Sequence, residues 1–191
     1  CSADQKLFLD GLVVVSHNLF AELESNGFFS SRTGRGGLAR IDGKAIALAY
    51  VHCTNRVLEP HLHVHMEIPN LCLCSDGSWR TLAGAALYDR QTEIGRIFDK
   101  HLMAELGATF PWLKDHFWSD DRGVSIPSIP ADVQDAASTR RKEVIEALAN
   151  GAETKLEAAY ATRQQKGEVD LSALTAGWRE EFSSAIQALR G

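Results

Sequence analysis

Residues 60–68 read PHLHVHMEI, in which His61, His63 and His65 alternate with Leu62, Val64 and Met66. A period of two is the period of a strand. Side chains at i, i+2 and i+4 stand on one face of a pleated chain, so these three imidazoles project the same way. His52 closes the preceding apolar run, where a neighbouring strand would bring it opposite them. The feature predicts a half-exposed strand in a sheet, with four of the seven histidines gathered within fourteen residues.

The flanking sequence supplies the rest of such a fold. Phe8, Leu12, Val15, Leu19 and Leu23 recur at helical spacing and predict an amphipathic helix over roughly 4–25, ended by Asn26-Gly27. Short runs follow, FFSSR, LARI and KAIALAYVH, separated by TGRGG and by Asp42-Gly43. Asp-Gly between apolar runs predicts a tight hairpin turn. TNRVLEP reads as a loop, SDGS as a turn and SWRTL as a short strand. After Gly84, the residues Leu87, Gln91, Ile94, Phe98, Leu102 and Leu106 predict a second long helix, stopped by Gly107. From Pro127 the chain changes character: PADVQDAASTRRKEVIEALANG, ETKLEAAYATRQQKG and DLSALTAGWREEFSSAIQAL predict three polar helices with thin apolar faces. The expectation is an α+β fold. A curved antiparallel sheet backed by helices occupies residues 1–120, and a helical extension occupies 121–191.

Composition narrows the class. At 191 residues, 45% apolar and 24% charged, the chain matches ordinary globular domains and excludes a disordered acidic tail or a low-complexity linker. The most apolar stretch, LVVVSHNLF, is interrupted by Ser, His and Asn, so no membrane insertion is expected. No secretory signal is expected. Four cysteines are too sparse for a disulfide scaffold, and Cys72-Leu73-Cys74 is poorly spaced for a zinc ribbon. A reduced cytoplasmic compartment is the expectation. The chain opens on Cys1 rather than Met, which suggests a fragment or a processed piece. Although the net charge is −5, the stretch from Asn26 to Leu58 holds Arg32, Arg35, Arg40, Lys44 and Arg56 against Asp42 alone. Such a local positive patch suits an anionic ligand.

Three neutral imidazoles converging on one point make a metal site with positions left open for substrate. The plainer alternative is a polar sheet face lined with histidines. Spacing alone does not say which three of His52, His61, His63 and His65 would be ligands. His17, His101 and His116 fall in helices or a loop and read as structural. A histidine-triad nucleotide hydrolase would carry His-apolar-His-apolar-His-apolar-apolar near its end, and Glu67 spoils that pattern. A cupin would need a further histidine one hairpin later, whereas none follows His65 before His101.

Beyond the histidines, the segment HCTNRVLEPHLHVHMEI resembles the relaxase domain of the MobF class of conjugative relaxases (the TrwC/TraI type of HUH endonuclease). The likeness continues through Asn70, the run Gly77-Ser78-Trp79-Arg80-Thr81-Leu82, then Tyr88, Gln91 and Gly95, and into AAYATRQQKGEVDLSALTAGWREEF. It covers essentially the whole chain. The resemblance implies a metal-dependent, site-specific nickase. Three histidines would hold a divalent cation on the scissile phosphate of single-stranded DNA, and a tyrosine would attack in-line. By position the implied ligands are His52, His63 and His65, with His61 a non-ligand. Mg2+ or Mn2+ is the implied ion, with Zn2+ or Ni2+ as alternatives. Arg56 matches a DNA-contacting arginine and Gln91 a base contact, while Arg32, Arg35, Arg40 and Lys44 could line the strand's path. The C-terminal helices resemble the family's fingers.

The resemblance also places the attacking tyrosine upstream of the first helix. Tyr50, Tyr88 and Tyr160 are the tyrosines of this sequence; Tyr50 shares a strand face with His52 but matches a core position, and Tyr88 and Tyr160 read as helical packing. Asp99 stands where the family can present a basic residue. Implied partners are an origin-of-transfer strand, an N-terminal segment bearing the tyrosine and a type IV coupling protein. Two alternatives remain: a histidine-triad-like phosphohydrolase, and a non-catalytic strand-binding remnant.

Overall fold

The computed structural model describes residues 3–120, 123–162, 170–183 and 187. The chain divides into two compact units, residues 1–51 with 64–125, and residues 52–63 with 126–191.

In the first unit, helix α1 (Ala3–Ser25) buries Leu12, Val15, Leu19 and Leu23, the stripe its periodicity predicts. Phe8 is half-buried, its ring 5.9 Å from that of Phe110. The helix stops because Gly27 takes φ +66°, which lets the Phe28 amide donate to the Leu23 carbonyl and the Gly27 amide to that of Glu24. This paired C-terminal cap brings Leu23 and Phe28 together in the core. Strands β1 (Ser30–Thr33), β2 (Ala39–Lys44), β5 (Cys72–Cys74) and β6 (Trp79–Arg80) form an antiparallel sheet in the order β1-β2-β5-β6. Ser31 also bridges Leu82 just past β6, and the Ala83 amide donates to the Ser30 carbonyl. The sheet therefore curls until its two edges meet. Phe29, Cys72 and Val15 are fully enclosed beneath it or beside it.

Asp42-Gly43 is not a turn. Asp42 pairs with Ser30 and Gly43 with Cys74, so β2 runs straight through both. A Cβ on Gly43 would strike the Cys72 sulfur and the Leu73 carbonyl. Glycine is there for close approach of β5, a requirement that mimics a turn signal in one dimension. The reversal lies instead in TGRGG, where Gly34, Gly36 and Gly37 all have positive φ. Sequence pattern does not predict β5, nor the hairpin of β7 (Trp118–Asp120) with β8 (Gly123–Ser125).

The helix predicted after Gly84 is two helices, α2 (Ala85–Asp89) and α3 (Gln91–Thr109), broken at Arg90. The Arg90 guanidinium lies 3.3 Å from the Phe28 ring centroid and bonds Glu93 at 2.7 and 2.8 Å, which ties the break to the core. Gly107 does not end α3. Pro111 does, two residues past Thr109, because the residue before a proline is pushed out of the helical region. α3 packs against α1, and both Lys100 and His101 reach Glu22 across that seam, at 2.6 and 2.8 Å. His101 is structural, as expected.

The second unit holds α4 (Ala131–Ala136), α5 (Thr139–Ala149), α6 (Lys155–Ala161) and α7 (Leu171–Glu181). The first predicted helix beyond Pro127 is interrupted at Ala137-Ser138. Thr154 caps α6 by accepting from the Glu157 amide, and Asp170 caps α7. Parts of the second and third predicted helices, 163–169 and most of 184–191, lie outside the described residues. No helix among the described residues is long and apolar enough to cross a membrane.

Candidate metal centre

Strands β3 (Leu48–Thr54) and β4 (Pro60–Glu67) pair as a two-stranded sheet. Only five residues join them, and so short a loop can return the chain only antiparallel. That loop is held by its own side chains. The Asn55 carboxamide oxygen accepts from the amides of Val57 and Glu59, each at 3.0 Å. Its nitrogen donates to one Glu59 carboxylate oxygen, and the other accepts from the Thr139 amide in the first turn of α5. Leu58 takes φ +63°, the single positive φ among the described non-glycine residues. Glu59 is 8% exposed, yet both its oxygens are satisfied. Sequence reasoning missed the part played by Asn55 and Glu59. The signal was the spacing Asn-x-x-x-Glu-Pro inside a loop.

The hairpin carries the histidines. His52 lies near the end of β3, and His63 and His65 alternate on β4. One ring nitrogen from each lies within 4.8 Å of the others, and the His52 and His63 rings stand edge to face at 5.4 Å. The His63 Nδ1 is 2.8 Å from the His61 carbonyl. A carbonyl only accepts, so this contact calls for the proton on Nδ1. The His61 ring is 4.8 Å from that of His63 but falls outside the converging set. Desolvation, then the neighbouring His63, hold the His61 pKa below the ordinary histidine value, while Glu59 opposes the shift.

The basic stretch folds as the β1–β2 ribbon. Arg32 and Arg40 are directly opposite in register, Arg35 sits at the tip, and all three are exposed. Like charges facing across a ladder cost stability unless an anion lies between them. Lys44, at the end of β2, is 3.5 Å from Glu24 and is already paired. Arg80, on the short strand predicted from SWRTL, donates to the Thr33 hydroxyl at 2.9 Å and pairs with Asp76 at 2.7 Å. Arg56 is half-buried in the β3–β4 loop, and Gln91 is the exposed first residue of α3. Asp99 is half-buried on α3, and burial pushes its carboxyl pKa up.

A family model described as TrwC relaxase matches residues 16–185. The chain belongs to the TrwC relaxase family. Among solved structures, a metal-bound conjugative relaxase TrwC in complex with OriT DNA aligns with TM-score 0.77 at 22% identity, over 96% of this chain and 64% of that one. A copper-bound TrwC–OriT complex aligns with TM-score 0.78 at 21% identity, over 94% and 63%. TrwC bound to a 27-mer DNA comprising the recognition hairpin and the cleavage site aligns with TM-score 0.74 at 20% identity, over 93% and 65%. This chain thus spans less than two thirds of the length of these neighbours. No curated protein matches it.

The relaxase fold of this member brings its donors together in a form that fits a metal ion. Three imidazoles converge on the hairpin and leave coordination positions open. The tyrosines are differently placed. Tyr50 is 45% exposed on β3, two residues before His52. Tyr88 and Tyr160 do not pack as expected: they are 79% and 61% exposed on α2 and α6.

Proposed function

We propose that this chain takes part in metal-assisted, site-specific nicking of single-stranded DNA during conjugative transfer. The observation that carries the reading is the convergence of His52, His63 and His65 in a member of the TrwC relaxase family. These three residues would hold a divalent cation, which when bound supplies Lewis-acid polarisation of the scissile phosphate. Mg2+ or Mn2+ is the proposed ion. The chain's own residues then position the strand. Arg32, Arg35 and Arg40 offer exposed charge that is not ion-paired among the described residues, and Arg56 is presented by a loop that Asn55 and Glu59 hold together. Gln91 opens α3 beside the same sheet unit and is the proposed base contact. Lys44 can join only by leaving Glu24. Residues 1–120 would form the catalytic palm and 121–191 the fingers. The attacking hydroxyl is expected from a tyrosine upstream of α1, and Tyr50 is not proposed for that role.

The test is a labelled single strand spanning an origin of transfer, incubated with Mn2+ and resolved on a denaturing gel. A cation-dependent covalent adduct that His63→Ala abolishes supports the reading. Salt-sensitive binding without any adduct, even when the upstream segment is supplied, would leave a strand-binding module. Mononucleotide release from phosphoramidates without added metal would favour a histidine-triad-like hydrolase instead.

A further inference from the structure

Wholly within the second unit lies a half-open cavity of about 650 Å³, within the usual range of about 300–1,000 Å³ for small-molecule sites. One stripe of α5, Arg141, Val144, Ile145 and Leu148, lines it at spacings of three and four residues. In a soluble helix such a stripe ordinarily faces a core, yet Ile145 is 54% exposed. Lys155, the first residue of α6, adds a second cation. Neither the Arg141 nor the Lys155 side chain makes an ion pair or hydrogen bond among the described residues. Asn55, Glu59 and Ser138 give the cavity a polar wall. Glu59 shares that wall, and its oxygens accept only from neutral donors, Asn55 and the first amide of α5, so the cavity sets two cations against one carboxylate. What remains on offer is an apolar surface, the Ser138 hydroxyl and an excess of positive charge. A fatty acid would lay its alkyl chain against the Glu59 carboxylate and the Ser138 hydroxyl. A heteroaromatic ring with an attached phosphate satisfies all three.

We infer that this cavity is a nucleotide subsite, which takes one unstacked base against Val144, Ile145 and Leu148 with its phosphate at Arg141 and Lys155. The source of the nucleotide, a base of the bound strand, rests on the strand-binding reading above. The chemistry of the cavity does not.

Two probes separate the two. Deoxyadenosine monophosphate and a single-stranded oligodeoxyadenylate are each titrated into the whole chain while the methyl resonances of Val144, Ile145 and Leu148 are followed. Variants are Val144→Trp, which fills the cavity, and the double substitution Arg141→Gln with Lys155→Gln, which is confined to exposed side chains and keeps the test open if the first fails to fold. Both probes are expected to shift those methyls in the parent chain. The double variant should weaken oligonucleotide binding about tenfold at low salt and flatten the slope of log K against log salt by about 0.7 for each phosphate that is no longer neutralised. Methyl shifts with the mononucleotide but no strand binding would uphold the subsite and sink the DNA reading. Strand binding with unmoved methyls and an unchanged slope would overturn the subsite and spare that reading. Laurate that shifts the same methyls at lower concentration than the mononucleotide would also overturn it.

Discussion

His63 and His61 differ by one turn of the pleat, and that difference decides their chemistry. His63 faces His52 and has its Nδ1 against a carbonyl, whereas His61 stands outside the converging set. Removing a ligand from a three-histidine site removes a coordinate bond; removing its neighbour does not. His63→Ala should therefore weaken Mn2+ binding far more than His61→Ala, as isothermal calorimetry would show, and equal weakening would refute the ligand set. Gly43 is a second position where one atom decides. An added Cβ meets the Cys72 sulfur and the Leu73 backbone, neither of which is the end of a flexible chain. Gly43→Ala should cost about 1–3 kcal/mol in chemical denaturation.

At the scale of elements, the β1–β2 ribbon carries a built-in conflict. Arg32 and Arg40 repel across the ladder, so the ribbon is less stable than its pairing alone would make it. A bound phosphate chain would relieve that repulsion. Arg40→Glu should raise thermal stability, by about 0.2–1 kcal/mol, while it weakens single-strand binding. The opposed signs distinguish a ligand-binding ribbon from a merely basic one; a fall or a rise in both would count against it. The β3–β4 loop shows the converse arrangement. Glu59, Asn55 and Leu58 are locked into one conformation, and Glu59 also caps α5. Without that carboxylate the Asn55 carboxamide and the Thr139 amide would want an acceptor, at a cost of about 1–3 kcal/mol.

For the molecule as a whole, the seam between α1 and α3 contributes to the response to acid. Glu22 accepts first from Lys100 and also from His101, and the hydrogen bond from Lys100 is the main reason its pKa lies below the ordinary 4.5. A carboxyl whose pKa is depressed by folding stabilises the fold above its unfolded pKa and loses that contribution as pH falls through the folded value. The melting temperature should therefore drop on acidification below about pH 4.5. The drop should be shallower in Glu22→Gln, whose stability at neutral pH is already reduced. A parallel pH dependence in the two proteins would remove Glu22 from the account. Strand binding is expected to fall steeply as salt is raised in a filter-binding titration, despite the acidic net charge, since the proposed phosphate contacts lie on the locally basic ribbon.

Periodicity alone was enough for the elements whose burial is one-sided: α1 with its stripe of Leu12, Val15, Leu19 and Leu23, the alternating strand β4, and the α+β class that follows from them. Those patterns are local, so the chain displays them before it folds. Gly43 and the break at Arg90 could not be read that way, because each answers to a residue distant in sequence, Cys72 and Phe28. The histidine string announced donors but left open which of the four would meet. Strand pairing decided that by bringing His52 to His63, a contact between strands that no single run of residues contains.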